Sequence, residues 1–307
     1  MSKQNKSAII LLKSRSYRAN VKEAFHLFAS NMKSFFLSLF PFPFFAGLVV
    51  AMLSVIARNV SNWLFWLSLC VAWIILVYLI AVFRQAFVYM LTDFGELQTI
   101  KKISWRKPEW KIFRQALPAF YLLMIQSAIF FLLVWGGILL WSISPFCLIP
   151  VALIVVFLLV PFNLSIDSLQ LDGIKFLQSV KNGFTYLRYF ASTFTVIFLA
   201  FLFILLVSAV CVLPVFILNQ AISASDMAVF YGDPTDLPDS IYIIHFFLCV
   251  VLFTVITFSL TFWFLTQYFH YFSLLKKEEE RNKEIAKQKL TRQTYRTYIS
   301  SIREEQV

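Results

Sequence analysis

Apolar positions along this chain run continuously instead of alternating with polar ones, and each run ends at a short polar break. Residues 34–57 carry no Asp, Glu, Lys or Arg, and neither do residues 59–83 or 115–166. Crossing roughly 30 Å of hydrocarbon at about 1.5 Å per residue takes about 20 apolar residues. Inside lipid the backbone must satisfy its own hydrogen bonds, so each span is a helix or part of a closed barrel. Barrel strands alternate in polarity, and these runs do not. The pattern predicts an all-α membrane bundle of six helices: 34–57, 59–83, 119–141, 146–166, 190–218 and 241–270. Arg58, Asn59, Ser61 and Asn62 break the first pair, and Ser142, Ile143, Ser144 and Pro145 break the second. The chain then divides into a segment at 1–34, a transmembrane domain at 35–270 and a charged tail at 271–307.

Composition agrees with that pattern. Of the 307 residues 60% are hydrophobic and 14% charged, mean hydropathy is +0.77, and 36 residues are Phe. A soluble domain carries roughly a quarter charged residues. The apolar stretch Ile9 to Leu12 is too short for a signal-peptide core, so no cleaved leader is expected.

The net charge of +11 suggests nucleic acid until the charges are placed. With six spans, every Lys and Arg except Arg58 falls on one side, in the segments before 35, from 84 to 114, between spans four and five, and after 270. Basic residues mark the side on which the chain is retained. Both termini are therefore expected in the cytosol, no nucleic-acid partner is expected, and the bilayer itself is the implied partner. Lys101, Lys102, Arg106, Lys107, Lys111, Arg114, Lys276 and Lys277 are the candidate contacts to anionic lipid headgroups, each worth about 1 kcal/mol near such a surface. A membrane-protein partner is an open alternative.

Three amphipathic stripes precede three hairpins of spans. The first is Val21, Ala24, Phe25, Phe28, Ala29 and Met32; the second is Trp110, Phe113 and Leu117; the third is Ile174, Leu177, Val180, Phe184 and Leu187. Basic residues flank each stripe, as in helices that lie at a membrane interface. Asp172 and Gly173 suggest the start of the third. A threefold repeat of entry helix and hairpin is the organisation this implies.

Between spans four and five stand Ser165, Ile166, Asp167, Ser168, Leu169, Gln170, Leu171, Asp172 and Gly173, followed by Phe176, Leu177, Gln178, Ser179, Val180, Lys181, Asn182, Gly183 and Phe184. This linker resembles that of the bacterial membrane domains associated with glycerophosphoryl diester phosphodiesterases, and of uncharacterised six-span proteins related to them. The resemblance implies a bacterial cytoplasmic membrane and a six-span domain. It carries over no catalytic residue, because no soluble stretch here is long enough for the phosphodiesterase domain.

Chemistry-bearing motifs are sparse. No Walker loop, GxSxG elbow, HExxH or CxxC pair occurs, and no cofactor or metal site is expected. Cys70, Cys147, Cys211 and Cys249 read as small apolar residues. Intramembrane ionisable groups mark function by default. Here His245 and His270 fall near the ends of span six and Asp167 at the exit of span four. Gln126, Ser127, Asn163 and Gln267 read as interhelical hydrogen-bonding residues. The outer loop at 219–240 gathers Asp226, Asp233, Asp236 and Asp239, without the glycine turn and closing acid of a calcium loop. Pro41, Pro43, Pro150, Pro161 and Pro214 would kink spans, as in carriers. No GxxxG is present, so a Phe-rich bundle with a loose interior or bulky lipid-facing surfaces is expected. After Leu275 a charged helix with Glu279 and Lys283 at four-residue spacing continues span six. These features favour a non-enzymatic, accessory, scaffolding or lipid-organising protein, with a carrier of a neutral solute lined by Gln126, Asn163 and Pro161 as the alternative.

Overall fold

The computed structural model describes residues 14–59, 62–91, 103, 110–141, 144, 146, 148–231 and 237–305. Every regular element among them is helical. In chain order these are α1 (Tyr17–Leu39), α2 (Pro41–Asn59), α3 (Asn62–Leu91), α4 (Trp110–Trp141), α5 (Leu148–Leu171), α6 (Phe176–Thr185), a short 3-10 turn (Tyr186–Tyr189), α7 (Phe190–Phe230) and α8 (Asp239–Glu305). Five helices are long and apolar enough to cross a membrane, and six if α1 and α2, bent by 65° at their junction, are one span. The chain is a multi-pass membrane protein.

Several boundaries depart from the sequence pattern. The helix of the second apolar run does not stop before Arg84 but continues to Leu91, because 85–91 supplies enough apolar surface to stay packed against α1, α4 and α8. The second amphipathic stripe is not a separate helix: Trp110 to Leu117 is the first part of α4 itself, and it buries Ile112 and Ala116 while Trp110 and Leu117 stay exposed. In α1 the buried side is Asn20, Ala24, Leu27, Phe28, Phe35, Ser38 and Leu39, leaving Phe25 and Met32 of the first stripe uncovered. Ser16 caps α1, accepting from the Ala19 amide at 3.3 Å. The third helix starts after Lys175, not at Asp172 and Gly173. Gly173 makes the preceding turn at φ 64°, a conformation that suits a residue without a side chain. The span from residue 190 runs twelve residues past 218, to Phe230. At 67 residues α8 is about 100 Å long, more than three times the hydrocarbon thickness, so its charged half projects from the bundle.

Helix α8 is the spine. It packs against α2, α7 and α1, while α3, α4 and α5 continue the bundle by successive pairing. Where α3, α5 and α6 end, α4 and α7 begin and the charged half of α8 departs, the helices converge; this is the basic end. There Phe rings interlock: Phe35 with Phe87 at 5.5 Å, Phe83 with Phe264 at 5.4 Å, and Phe203 with Phe262 at 4.4 Å. Offset and edge-on aromatic pairs of this kind add about 0.5–1.5 kcal/mol beyond area burial. A loose interior was one reading of the Phe content; at this end the interior is closely packed instead. Toward the other end α4, α5 and α7 diverge from the core and present Phe131, Trp135, Leu153, Leu206, Val210 and Ile217 outward. The Phe content therefore serves both a packed end and a lipid-facing one.

Gly47 sets the approach of α2 to α8. A Cβ there would stand 2.5 Å from the Val250 carbonyl oxygen and 2.7 Å from Thr254 Oγ1, closer than real contacts allow, whereas one on Gly136 would meet nothing. Gly47→Val is expected to destabilise the bundle by about 1–3 kcal/mol, the usual result of overpacking. Gly136→Ala should leave the thermal midpoint in detergent unchanged. Equal midpoints for the two variants would show that the α2–α8 contact is not tight.

Candidate functional site

Charge inside a membrane bundle needs a partner, because isolated ions in low dielectric are strongly disfavoured. Arg84 of α3 and Asp167 of α5 meet as such a pair, with Arg84 Nη2 donating to Asp167 Oδ1; their side chains are 3% and 0% exposed. Both lie inside helices, Arg84 seven residues before the end of α3 and Asp167 four before the end of α5. The Arg84 guanidinium also lies over the rings of Phe264 and Tyr268, 5.5 and 5.8 Å from their centroids. The Tyr268 hydroxyl donates to the Arg84 carbonyl at 3.5 Å. One interaction thus ties α3, α5 and α8 together at the basic end.

Neighbouring polar contacts extend this centre. The Tyr271 hydroxyl donates to Asp172 at the exit of α5. Burial holds the Asp172 carboxyl above its ordinary range, with the Tyr271 hydrogen bond pulling the other way. His270 bridges α1 and α7: its Nε2 is 2.9 Å from Thr193 Oγ1 and its Nδ1 is 3.4 Å from Asn20 Nδ2. Thr193 Oγ1 donates to the Tyr189 carbonyl at 3.1 Å. These contacts fit an imidazole that carries its proton on Nε2, donates to Thr193 and accepts from Asn20, whose own Oδ1 has no hydrogen-bond partner among the described residues. Arg188 pairs with Glu278, which also accepts from the Tyr189 hydroxyl at 3.3 Å.

The linker of α5 and α6 closes this end through small polar groups. Ser179 Oγ donates to the Ser165 carbonyl at 2.9 Å, and Ser168 Oγ donates to the Ser179 carbonyl at 3.5 Å. Gly183 lies where a Cβ would collide with Ser165 Oγ and the Pro161 carbonyl. Only a glycine lets α6 approach α5 this closely, and Leu177 of α6 remains exposed.

The residues singled out from sequence are distributed unevenly over this architecture. Lys101, Lys102, Arg106 and Lys107 lie outside the described residues, as do Asp233 and Asp236 of the acidic loop and Cys147. Lys111 and Arg114 are exposed at the start of α4, while Lys276 and Lys277 are half-buried on α8. They are not gathered into one pocket. Gln126 donates to the Phe162 carbonyl of α5 at 3.1 Å, joining α4 to α5. Asn163 donates to the Leu159 carbonyl at 2.9 Å and Ser127 to the Met124 carbonyl at 2.9 Å, each within its own helix. Cys70 is exposed, Cys211 half-buried and Cys249 buried with its Sγ 3.8 Å from His245 Nε2. Among the described residues no cluster of three His, Cys, Asp or Glu could hold a metal ion.

Arg84 is the residue that sequence reasoning misplaced. It was assigned to the basic segment after span two, whereas it is buried within the span and neutralised by Asp167. The signal was present in the seven residues that follow it, Gln85 to Leu91, which are too apolar for a loop. No family model, curated protein or solved structure matches this chain.

Removing one member of a buried pair strands the other charge and typically costs about 3–5 kcal/mol, whereas replacing both with apolar residues is often near neutral. Arg84→Met is therefore expected to lower the thermal midpoint sharply, with Arg84→Met/Asp167→Leu recovering most of the loss. A double variant as unstable as the sum of its singles would show that the two residues are not coupled.

Proposed function

We propose that this chain is a non-enzymatic six-span protein of the bacterial cytoplasmic membrane, with both termini in the cytosol, that organises anionic lipid around its basic end and acts as an accessory or scaffolding subunit. The observation that carries the reading is a set of exposed cations at the basic end. Lys111 and Arg114 on α4 and Lys175 and Lys181 beside and on α6 stand exposed near the starts of those helices or along them, with Lys277 half-covered on α8. Arg188 is paired with Glu278, and Lys276 with Glu279 at 3.0 Å. Phosphate headgroups lie at such a level, and Lys and Arg attract them electrostatically. Exposed Trp110 beside Lys111 and exposed Leu177 on α6 add the apolar component of interfacial contact.

Six spans with cytosolic termini also account for the distribution of basic residues, all but Arg58 and the buried Arg84 falling on one side. The likeness of residues 165–184 to the linker of phosphodiesterase-associated membrane domains supports the same membrane. A path for a neutral solute lined by Gln126, Asn163 and Pro161 has less support. Both amides are committed to backbone carbonyls, and Pro161 is buried under α6.

Mass spectrometry of the protein released with its bound lipid tests this reading. Lys111→Gln, Arg114→Gln, Lys276→Gln and Lys277→Gln together should reduce retained anionic lipid several-fold, at about 1 kcal/mol per cation removed, with neutral lipid unchanged. Undiminished anionic lipid would overturn it. Orientation is tested separately in intact cells. Asp233→Cys should react with an impermeant maleimide from outside, and Glu284→Cys only after the membrane is opened; the reverse pattern would invert the topology.

A further inference from the structure

The Arg84–Asp167 pair leaves buried hydrogen-bonding capacity around it. Arg84 Nε and Asp167 Oδ2 have no hydrogen-bond partner among the described residues. The same holds for both amide atoms of Gln170, both amide atoms of Gln267 and the hydroxyl of Thr261. Asn20 Oδ1, on α1 beside His270, is also unmet; the other groups lie on α3, α5 and one face of α8. Gln170 stands three residues after Asp167, one turn along α5. Thr261, Phe264, Gln267, Tyr268 and Tyr271 follow at spacings of three and four on one face of α8, the face that presents Phe264 and Tyr268 to Arg84. Thr261 and Gln267 are fully buried.

A buried polar group without a partner costs about 1–3 kcal/mol. An ion pair with unmet capacity and three further side chains in that condition are not sustained by a protein interior that offers them nothing. Most buried polar groups are satisfied by protein or by bound water. We propose that Arg84, Asp167, Gln170, Thr261 and Gln267 form an enclosed site for a small neutral molecule that both donates and accepts hydrogen bonds, of which water is the smallest.

Two features set the ligand class. The guanidinium and the carboxylate cancel, so an entering anion or cation meets attraction from one and repulsion from the other while losing its own hydration. The unmet groups also include donors and acceptors in similar number: Arg84 Nε and the amide nitrogens donate, Asp167 Oδ2 and the amide oxygens accept, and Thr261 can do either. Water, a short polyol or a small amide fits that mixture; a hydrocarbon or a free phosphate does not. The site is independent of the exposed cations proposed to meet headgroups, which lie outside the interior.

Radiolytic oxidation of the wild-type chain in liposomes tests the site without a substitution, because water held against a buried ring generates radicals beside it. Tyr268, 2% exposed, should oxidise well above Phe35, 0% exposed in the apolar core, after correction for intrinsic reactivity. Equilibrium dialysis with radiolabelled glycerol and with radiolabelled urea distinguishes the occupants. Tyr268 labelling with neither solute retained assigns water. A solute retained by the wild type and lost from Gln267→Leu assigns that solute. Gln267→Leu should also lower the thermal midpoint and the Tyr268 signal, with Thr261→Val as the milder substitution if the first fails to fold. Tyr268 labelling no higher than that of Phe35, with no solute retained, would overturn the proposal.

Discussion

An arginine placed inside a helix that crosses a hydrocarbon layer has few tolerable arrangements, and the basic end of this bundle is organised around one of them. Arg84 is too far from the end of α3 to reach solvent, at seven residues or about 10 Å. It must be neutralised where it stands. Asp167 does so from α5, and the rings of Phe264 and Tyr268 cover the guanidinium from α8. Three helices distant in sequence are thereby held in one register. A slip of α5 by a single residue would rotate Asp167 by about 100° and strand both charges. The apolar surfaces around the pair are far more permissive, since Leu, Ile and Phe contacts can be re-made at many offsets.

The linker between α5 and α6 follows from the same demand. Asp167 can face inward only if the end of α5 is covered, and the cover is α6, brought close by Ser165, Ser179 and Gly183. The chain then turns at Asp172 and Gly173, where the Tyr271 hydroxyl fixes the turn to the spine. His270, one position away on α8, holds α1 and α7 by its two ring nitrogens. Residues 264 to 273 of α8 thus meet partners from α1, α3, α5 and α7 within less than three turns. The opposite end lacks such demands, and there α4, α5 and α7 present apolar side chains outward. Lipid is an adequate partner for those surfaces, because hydrocarbon tails are as apolar as leucine.

This division gives the molecule a polar, tightly specified end and an apolar, weakly specified one. The proposed headgroup contacts and the proposed neutral-ligand site both fall at the specified end. The first uses cations left outside the helix packing; the second uses hydrogen-bonding groups left unmet inside it. They share no residue, so loss of one leaves the other intact.

Hydropathy by itself determined the class of this protein and most of its helices, because the demand that a backbone in lipid be hydrogen-bonded to itself is local and each apolar run meets it alone. It also marked Pro41 and Pro43 as kinking residues early in a span and the helix beyond Leu275 as charged and exposed. It ran that first span unbroken from 34 to 57, however, where the structure bends by 65° between α1 and α2. Charge counting could not distinguish Arg84 from the basic residues that follow it, since a cation at the end of an apolar run looks the same whether it faces solvent or a carboxylate. Likewise Gln126 and Gln267 are equivalent in sequence, each an amide in an apolar helix. Tertiary structure separates them, giving Gln126 the Phe162 carbonyl and leaving Gln267 among other unmet groups. Which polar residues are satisfied by the fold and which are left unmet depends on pairings between separate helices, 36 residues apart for Gln126 and Phe162 and 83 for Arg84 and Asp167, and no local pattern encodes those.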